Sequence, residues 1–203
     1  MLLQREAAAH RQLLDLFDPF NLGYHKNPRV RVVVDDGRHF LARSPDRYDI
    51  ISINVSDPRL PGGSALFHAD FYEVVKRHLQ PGGVVVQHAF GTETALVLTT
   101  LSRSFKYLAL FPAYANGYNV VAADHPLEPD AGAIERATAV PEVQAQLRAI
   151  GLLPPVTAAG LAKNALHPED LPELFGAREI ATDDHPLLEF SSRGAGGMLF
   201  SNE

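Results

Sequence analysis

The sequence contains no cysteine. Disulfide bridges, thiolate zinc sites and a cysteine nucleophile are thereby excluded, and a reducing, cytoplasmic setting fits. No run of about 20 apolar residues occurs, so no bilayer-spanning helix is expected. The amino-terminal stretch MLLQREAAAHRQLLDLF carries Glu6, two arginines and a histidine, with no clean apolar run leading to a small-residue cleavage site; it is not read as a signal peptide. A basic surplus is missing as well. The 18 Lys and Arg stand against 24 Asp and Glu, a net charge of −6, so nucleic acid is not an expected partner. The nine histidines include no i,i+4 pair and no H-E-x-x-H, so no metal site is expected. There is no internal repeat. What remains is a chain of 203 residues, 46% hydrophobic and 21% charged, which is ordinary globular composition.

Residues 3–18 space their apolar positions as a helix does, and PFNLGYHKNP reads as a loop. Arg29–Val34 is a β-branched run that predicts a buried strand, ending at Asp35-Asp36-Gly37. A short helix is expected over Arg38–Ser44 and a second strand over Tyr48–Val55. Ala69–Leu79 carries a helical apolar set, Phe71, Val74, Val75 and Leu79. Pro81-Gly82-Gly83 predicts a tight turn into a third strand, Val84–Gln87. A helix over Thr92–Ser104 follows, then two strands, Tyr107–Phe111 and Tyr118–Ala123, close enough in sequence to pair antiparallel. From residue 127 the composition shifts to Ala, Leu, Pro and Glu, with short helices expected over Pro141–Ile150, Val156–Asn164 and Glu169–Phe175. The Gly-rich tail after ATDDHPLLEF is expected to be loose.

Strand–helix alternation is the pattern of an α/β sheet with parallel strands, and such sheets bind ligands beyond the carboxyl ends of their strands. Asp35, Asp36, Asn54, Asp57 and Gln87 collect at those ends. Loops are polar in any case, so a single such residue says little; the set on successive strands points to a site.

Three segments together resemble the spermidine synthase (polyamine aminopropyltransferase) family. They are NPRVRVVVDDGRHF at 27–40, YDIISINVSDPRLPGGSALFHADF at 48–71 running on into Tyr72 and LQPGGVVVQ, and FPAYANG at 111–117. The tail TDDHPLLEF looks like the carboxy-terminal region of the bacterial spermidine-synthase-like proteins. The resemblance implies an S-adenosylmethionine-methyltransferase-like (Rossmann-like) α/β fold lacking its first two strands, with a small helical extension; the domains would be 1–126 and 127–203. It implies aminopropyl transfer from decarboxylated S-adenosylmethionine, a co-substrate rather than a tightly bound cofactor, to a polyamine such as putrescine. Asp36, with Asp35 and Gly37, would meet the adenine end, and Gln87 would sit near both substrates. Asn54 and Asp57 would occupy the catalytic and amine-binding positions of the D-x-x-D-P pattern. Tyr114 would line the amine pocket.

Two departures alter what the resemblance implies. Asn54 stands where the family has an acid, and an amide cannot usefully accept a proton near neutral pH. Asp57, three residues on, could take over that task. The Gly-rich loop after the family's first strand and the ribose-binding acid of its second strand are also missing. The Gly-rich candidates present, Pro61-Gly62-Gly63, Pro81-Gly82-Gly83 and Gly194–Gly197, do not follow a strand and open a helix. Three arrangements would accommodate this: a fragment or mis-called start, direct pairing of the two flanking strands, or a second copy or another chain that supplies the missing pieces. Two alternatives to the transferase stay open. One is a non-catalytic homologue that binds a polyamine or pairs with an active subunit; the other is a small-molecule methyltransferase, against which the S-D-P segment and PAY turn argue. Ser64 is no nucleophile elbow because no strand precedes it. Tyr72 reads as core, and Asp183-Asp184 as a cap for the turn before Pro186 rather than an amine contact.

Overall fold

The computed structural model describes residues 15–18, 23–54, 63–89, 93–113, 117–128, 130–149, 165–175 and 179–190. The chain divides into two compact units, Met1–Arg43 and Ser44–Glu203.

In the first unit a 3₁₀ turn covers Tyr24–Lys26 and helix α1 covers Gly37–Arg43. Asp36 sets the start of α1: its carboxylate accepts from the His39 backbone N–H at 2.8 Å, the N-cap arrangement that satisfies an otherwise unpaired first-turn donor. The strand expected over Arg29–Val34 does not form. Residues 30–34 carry no ladder, and Val30, Val32, Val33 and Val34 are 37–43% exposed. β-Branched residues favour extended backbone, but a strand exists only through hydrogen bonds to a neighbour, and no described segment pairs with this one.

The second unit is built on a four-stranded sheet. Strand β1 spans Tyr48–Ile53, helix α2 Ala69–His78, strand β2 Leu79–Ala89, helix α3 Thr94–Ser104, strand β3 Tyr107–Pro112 and strand β4 Tyr118–Ala123. The order across the sheet is β1-β2-β4-β3, with β1 parallel to β2, and β4 antiparallel to both β2 and β3. One sheet face carries Ile53, Val85, Gln87, Leu108, Leu110, Val120 and Ala122, each less than a tenth exposed. The core under it is completed by Phe71, Tyr72, Val74 and Val75 of α2 and by Val97, Leu98 and Leu101 of α3. On α2 these positions recur at helical spacing, so it buries one stripe; α3 is buried at every position from Val97 to Leu101, because the Pro172–Phe175 turn also packs on it. β1 lies at the edge of this sheet, and its Ile50 is 63% exposed.

After β4, helix α4 spans Ala131–Thr138, capped by the Asp130 carboxylate accepting from Ala133 N at 3.0 Å. Helix α5 spans Pro141–Ala149, with proline at its first position, where the missing N–H costs nothing. The helix expected over Glu169–Phe175 is instead two 3₁₀ turns, Pro168–Asp170 and Pro172–Phe175. Pro172 has no N–H to donate and disfavours helical backbone at Leu171, so an α-helix cannot run through. Leu166 bridges back to Leu110 of β3. The chain then returns to α2 and α3 through Thr182–His185, closed by reciprocal backbone hydrogen bonds, and the short helix α6 at Leu187–Phe190. The expected helices over 3–18 (apart from 15–18) and 156–164 and the loose tail fall outside the described residues.

The Pro81-Gly82-Gly83 segment is absorbed into β2 as a bulge rather than preceding it. Tyr48 pairs with Leu79 and Ile50 with Val84, so β2 spends extra residues over one step of β1. Gly82 takes φ +80°, and a Cβ on Gly83 would lie 3.0–3.1 Å from the carbonyl oxygens of Gln80, Tyr48 and Asp49. Those neighbours are backbone atoms of the β1–β2 pair and cannot swing away. Gly83→Ala is therefore expected to destabilise the protein by about 1–3 kcal/mol through overpacking, and Gly82→Ala by about 1–2 kcal/mol through left-handed backbone strain. Urea midpoints measure both; an unchanged midpoint for Gly83→Ala would show that β1 does not approach so closely.

Candidate active site

The crossover from β1 through α2 to β2 fixes where chemistry can be placed. Parallel strands require the intervening helix to run back along the sheet, so the amino-terminal end of α2 returns to the carboxyl ends of both strands. Gln87 pairs with Ile53 there, and Asn54 follows as an exposed residue.

Gln87 is fully buried, and its amide is used within the protein. Its Nε2 donates to the Ile53 carbonyl at 3.4 Å and to the His88 carbonyl at 3.3 Å, while its Oε1 accepts from the Tyr72 hydroxyl at 3.5 Å. Tyr72 is buried completely as well, and burial pushes its phenol well above the ordinary range. The hydroxyl thus stays a donor under all working conditions. The expectation that Tyr72 belongs to the core holds, with a polar task added: it orients the amide at the end of β2.

Asn54 offers an uncharged amide at the end of β1, a donor and an acceptor but no proton acceptor. Asp57 and Tyr114 lie outside the described residues. Asp35, Asp36 and Gly37 belong to the first unit. There Asp35 pairs with Arg43 at 2.8 Å and accepts from the Asp36 backbone N–H, while Asp36 holds the first turn of α1 through one carboxylate oxygen. Gly37, the first residue of α1, has open space around the position of a Cβ.

A polar pair that the sequence reading did not single out stands at the start of α2. His68 is 3% exposed, and its Nδ1 lies 3.0 Å from the Asp183 carboxylate, 115 residues away in sequence. The Asp183 backbone N–H donates to Asp70 at 2.8 Å, and the buried Ser64 hydroxyl donates to Glu189 at 2.8 Å. The Asp183 carboxylate is thus spent on His68 rather than on the cap expected for the turn before Pro186, where the Thr182 hydroxyl accepts from the His185 backbone N–H at 3.0 Å. No periodicity could have joined His68 to Asp183; the one local signal was a polar ring between the apolar residues Phe67 and Ala69.

In the first unit, ligand-type atoms of Asp15, Asp18 and His25 come within 4.8 Å of one another. Lys26 lies among them, 3.3 Å from Asp15 and in contact with Asp18. Hydrogen bonds from His25 and then Lys26 hold the Asp15 carboxyl below the usual range, and Asp18 and then Asp15 hold the Lys26 ammonium above its own. An ammonium already supplies the positive charge that the cluster attracts. A cavity of about 520 Å³ in the second unit is lined by Gly82, Val84, His125 and Leu127 among others. Gly82 and Val84 belong to the amino-terminal half of β2, so this cavity is at the far end of that strand from Asn54.

Because the folded Tyr72 has a raised pKa, the folded state retains a proton that the unfolded chain releases above about pH 10. Folding stability from this group is intact below that pH and falls as the pH rises through and beyond it. Urea midpoints followed from pH 8 to 11 are expected to drop more steeply for the wild type than for Tyr72→Phe; parallel slopes would mean that Tyr72 is reached by solvent.

A family model described as the spermine/spermidine synthase domain matches residues 10–122, more than half of the chain. The polyamine aminopropyltransferases of Escherichia coli strains K12/DH10B and O157:H7 EC4115 are each 42% identical over 66 residues. That stretch is 32% of this chain and 23% of those enzymes, so the match spans about a quarter of the curated relatives' length. A probable spermidine synthase from Corynebacterium glutamicum is similar in structure with a TM-score of 0.50 at 20% identity, covering 78% of this chain and 56% of that one. The sequence resemblance thus rests on a matched domain as well as on its motifs, and the α/β fold agrees with it: the chain belongs to the spermine/spermidine synthase family.

Proposed function

We propose that this chain carries an aminopropyl-transfer site of the polyamine class at the carboxyl ends of β1 and β2. The observation that supports this reading is the family match over residues 10–122, which contains the β1–α2–β2 crossover and its Asn54 and Gln87. In the reaction, the neutral amine of a substrate such as putrescine attacks the carbon beside the sulfonium of decarboxylated S-adenosylmethionine. A C–N bond forms, the C–S bond breaks with its electron pair going to sulfur, methylthioadenosine leaves, and the amine proton passes to an acceptor. On this reading the roles that the family resemblance implies are carried over residue by residue: Asp57 and Tyr114 serve the amine, Asp35, Asp36 and Gly37 the adenine end, and Gln87 stands near the substrates at the end of β2. No group is held permanently as a cofactor. Sulfonium is already a good leaving group, so the protein contributes mainly positioning. The catalytic part ends near residue 126, and 127–203 is an extension to it. The absence of cysteine supports a cytoplasmic setting.

A second reading, a homologue that binds a polyamine without turning it over or works beside an active subunit, is favoured by one observation: the exposed end of β1 carries the amide of Asn54 where a carboxylate would take the proton. A general base is typically worth about 10²–10⁴-fold, or about 3–5 kcal/mol of barrier. The position of β1 at a sheet edge supports a homodimer or a partner chain that adds a strand there.

The two readings separate by measuring methylthioadenosine release with putrescine, for the chain alone and for the chain fused to the amino-terminal strands of a family member. Little or no release is expected from the chain alone. In the fused protein, Asn54→Asp is expected to raise the rate by about 10²-fold or more if the missing base limits the reaction, and Asp57→Asn to lower it whichever residue stands at 54. A fully active Asn54 protein on which Asn54→Asp has no effect would refute the carboxylate argument. A harmless Asp57→Asn would show the site to be misplaced.

A further inference from the structure

We infer that Asp183 is a positioning residue for the carboxyl end of β1, acting through His68, Tyr72 and Gln87. The links are consecutive. The Asp183 carboxylate takes the Nδ1 hydrogen of His68 at 3.0 Å. His68 and Tyr72 are one helical turn apart at the start of α2, on the same face, and the His68 carbonyl accepts from the Tyr72 backbone N–H at 3.1 Å. The Tyr72 hydroxyl donates to Gln87, and Gln87 donates to the Ile53 carbonyl, the residue before Asn54. His68, Tyr72 and Gln87 are 3%, 0% and 0% exposed, so water does not compete for these contacts.

The carboxy-terminal segment is well placed to hold the first link. The Ala69 backbone N–H donates to the Ala181 carbonyl at 2.9 Å, Ala181 N–H to the Thr100 hydroxyl at 3.1 Å, and Ser64 to Glu189, while Leu188 is fully buried. The far links are sensitive. At 3.5 and 3.4 Å, the Tyr72–Gln87 and Gln87–Ile53 bonds are at the long limit of hydrogen bonding, where a displacement of a few tenths of an ångström in the first turn of α2 makes or breaks them. The imidazole itself shows which nitrogen matters. With a carboxylate at Nδ1, the neutral ring carries its proton there, and Nε2 is buried with no hydrogen-bond partner among the described residues. The Nδ1 side alone connects His68 to the tail.

This gives a test that two substitutions decide. In His68→Asn the side-chain amide can reproduce the Nδ1 donor; in His68→Gln it reproduces the Nε2 position instead. The readout is the side-chain NH₂ group of Gln87 in the full-length chain, followed by NMR shift and hydrogen exchange, with urea midpoints recorded beside it. Asp183→Ala and His68→Gln are expected to shift the Gln87 resonances and accelerate their exchange by about fivefold, the equivalent of one hydrogen bond, and His68→Asn to leave them near wild type. Tyr72→Phe is expected to reproduce the Gln87 change while leaving the His68 ring signals in place. A role confined to docking the tail would lower the urea midpoint and leave Gln87 unmoved, which would overturn the proposal. So would rescue by His68→Gln in place of His68→Asn. The functional meaning of the coupling rests on reading the β1 end as the aminopropyl-transfer site. Methylthioadenosine titration of the same samples separates the two: no binding by the wild-type chain counts against that reading, and the amide result still decides the coupling.

Discussion

The parallel pairing of β1 with β2 is the constraint on which the second unit is built. Two adjacent parallel strands cannot be joined by a turn, so a helix must return the chain to the starting end of the sheet, and α2 does so within ten residues. Its apolar stripe, Phe71, Tyr72, Val74 and Val75, is then forced onto the inner sheet face. The helix passes directly into β2, and the cost of that abrupt change is absorbed by the bulge at Pro81–Gly83, where one glycine takes a left-handed conformation and the other lets β1 approach. Asn54, Gln87 and the start of α2 are brought to the far end by that one crossover.

Gln87 shows how the end of the sheet stays ordered without a charge. A buried amide left unpaired would cost about 1–3 kcal/mol. Here both of its ends are used, on two carbonyls and on Tyr72, so the group that would otherwise destabilise the core ties three elements together. Fully satisfied buried polar groups of this kind fix one arrangement among several that apolar packing alone would allow.

The sequence makes the centre of the sheet legible and its margins less so. β1 and the late part of β2 are apolar runs bounded by polar residues, and β3 and β4 are separated by five residues, too few for anything except an antiparallel return. The valines at 30–34 look equally strand-like, but pairing is a property of two segments, and a run read alone does not disclose whether a partner exists. At 169–175 the apolar spacing was helical, and Pro172 overrode it within one turn. The site divides similarly. The placement of Gln87 at the end of a buried strand followed from local pattern. The His68–Asp183 pair did not, because it joins positions 115 residues apart that meet only once the tail has docked. Asp36 shows a further limit: a residue type suited to binding a nucleoside is equally suited to capping a helix, and here its carboxylate does cap one.

The amide at position 54 weighs on binding and turnover through different physics. A carboxylate about 4 Å from an ammonium contributes about 1 kcal/mol in fully solvated surroundings and about 4 kcal/mol where the effective dielectric is near 20. Loss of that charge is a graded effect that neighbouring carboxylates can partly offset, because Coulomb attraction needs proximity rather than contact. Proton acceptance is not graded in this way: the acceptor must be within hydrogen-bond reach of the attacking amine, or linked to it by one water. On the proposed reading, a chain with net charge −6 keeps an attraction for a polycation even with an amide at position 54. On the same reading the chemical step, in contrast, depends on whether one particular group, Asp57 foremost, reaches the amine. Affinity and rate would then respond to the same substitution by separate routes, one through charge near the ligand and the other through contact with a proton acceptor.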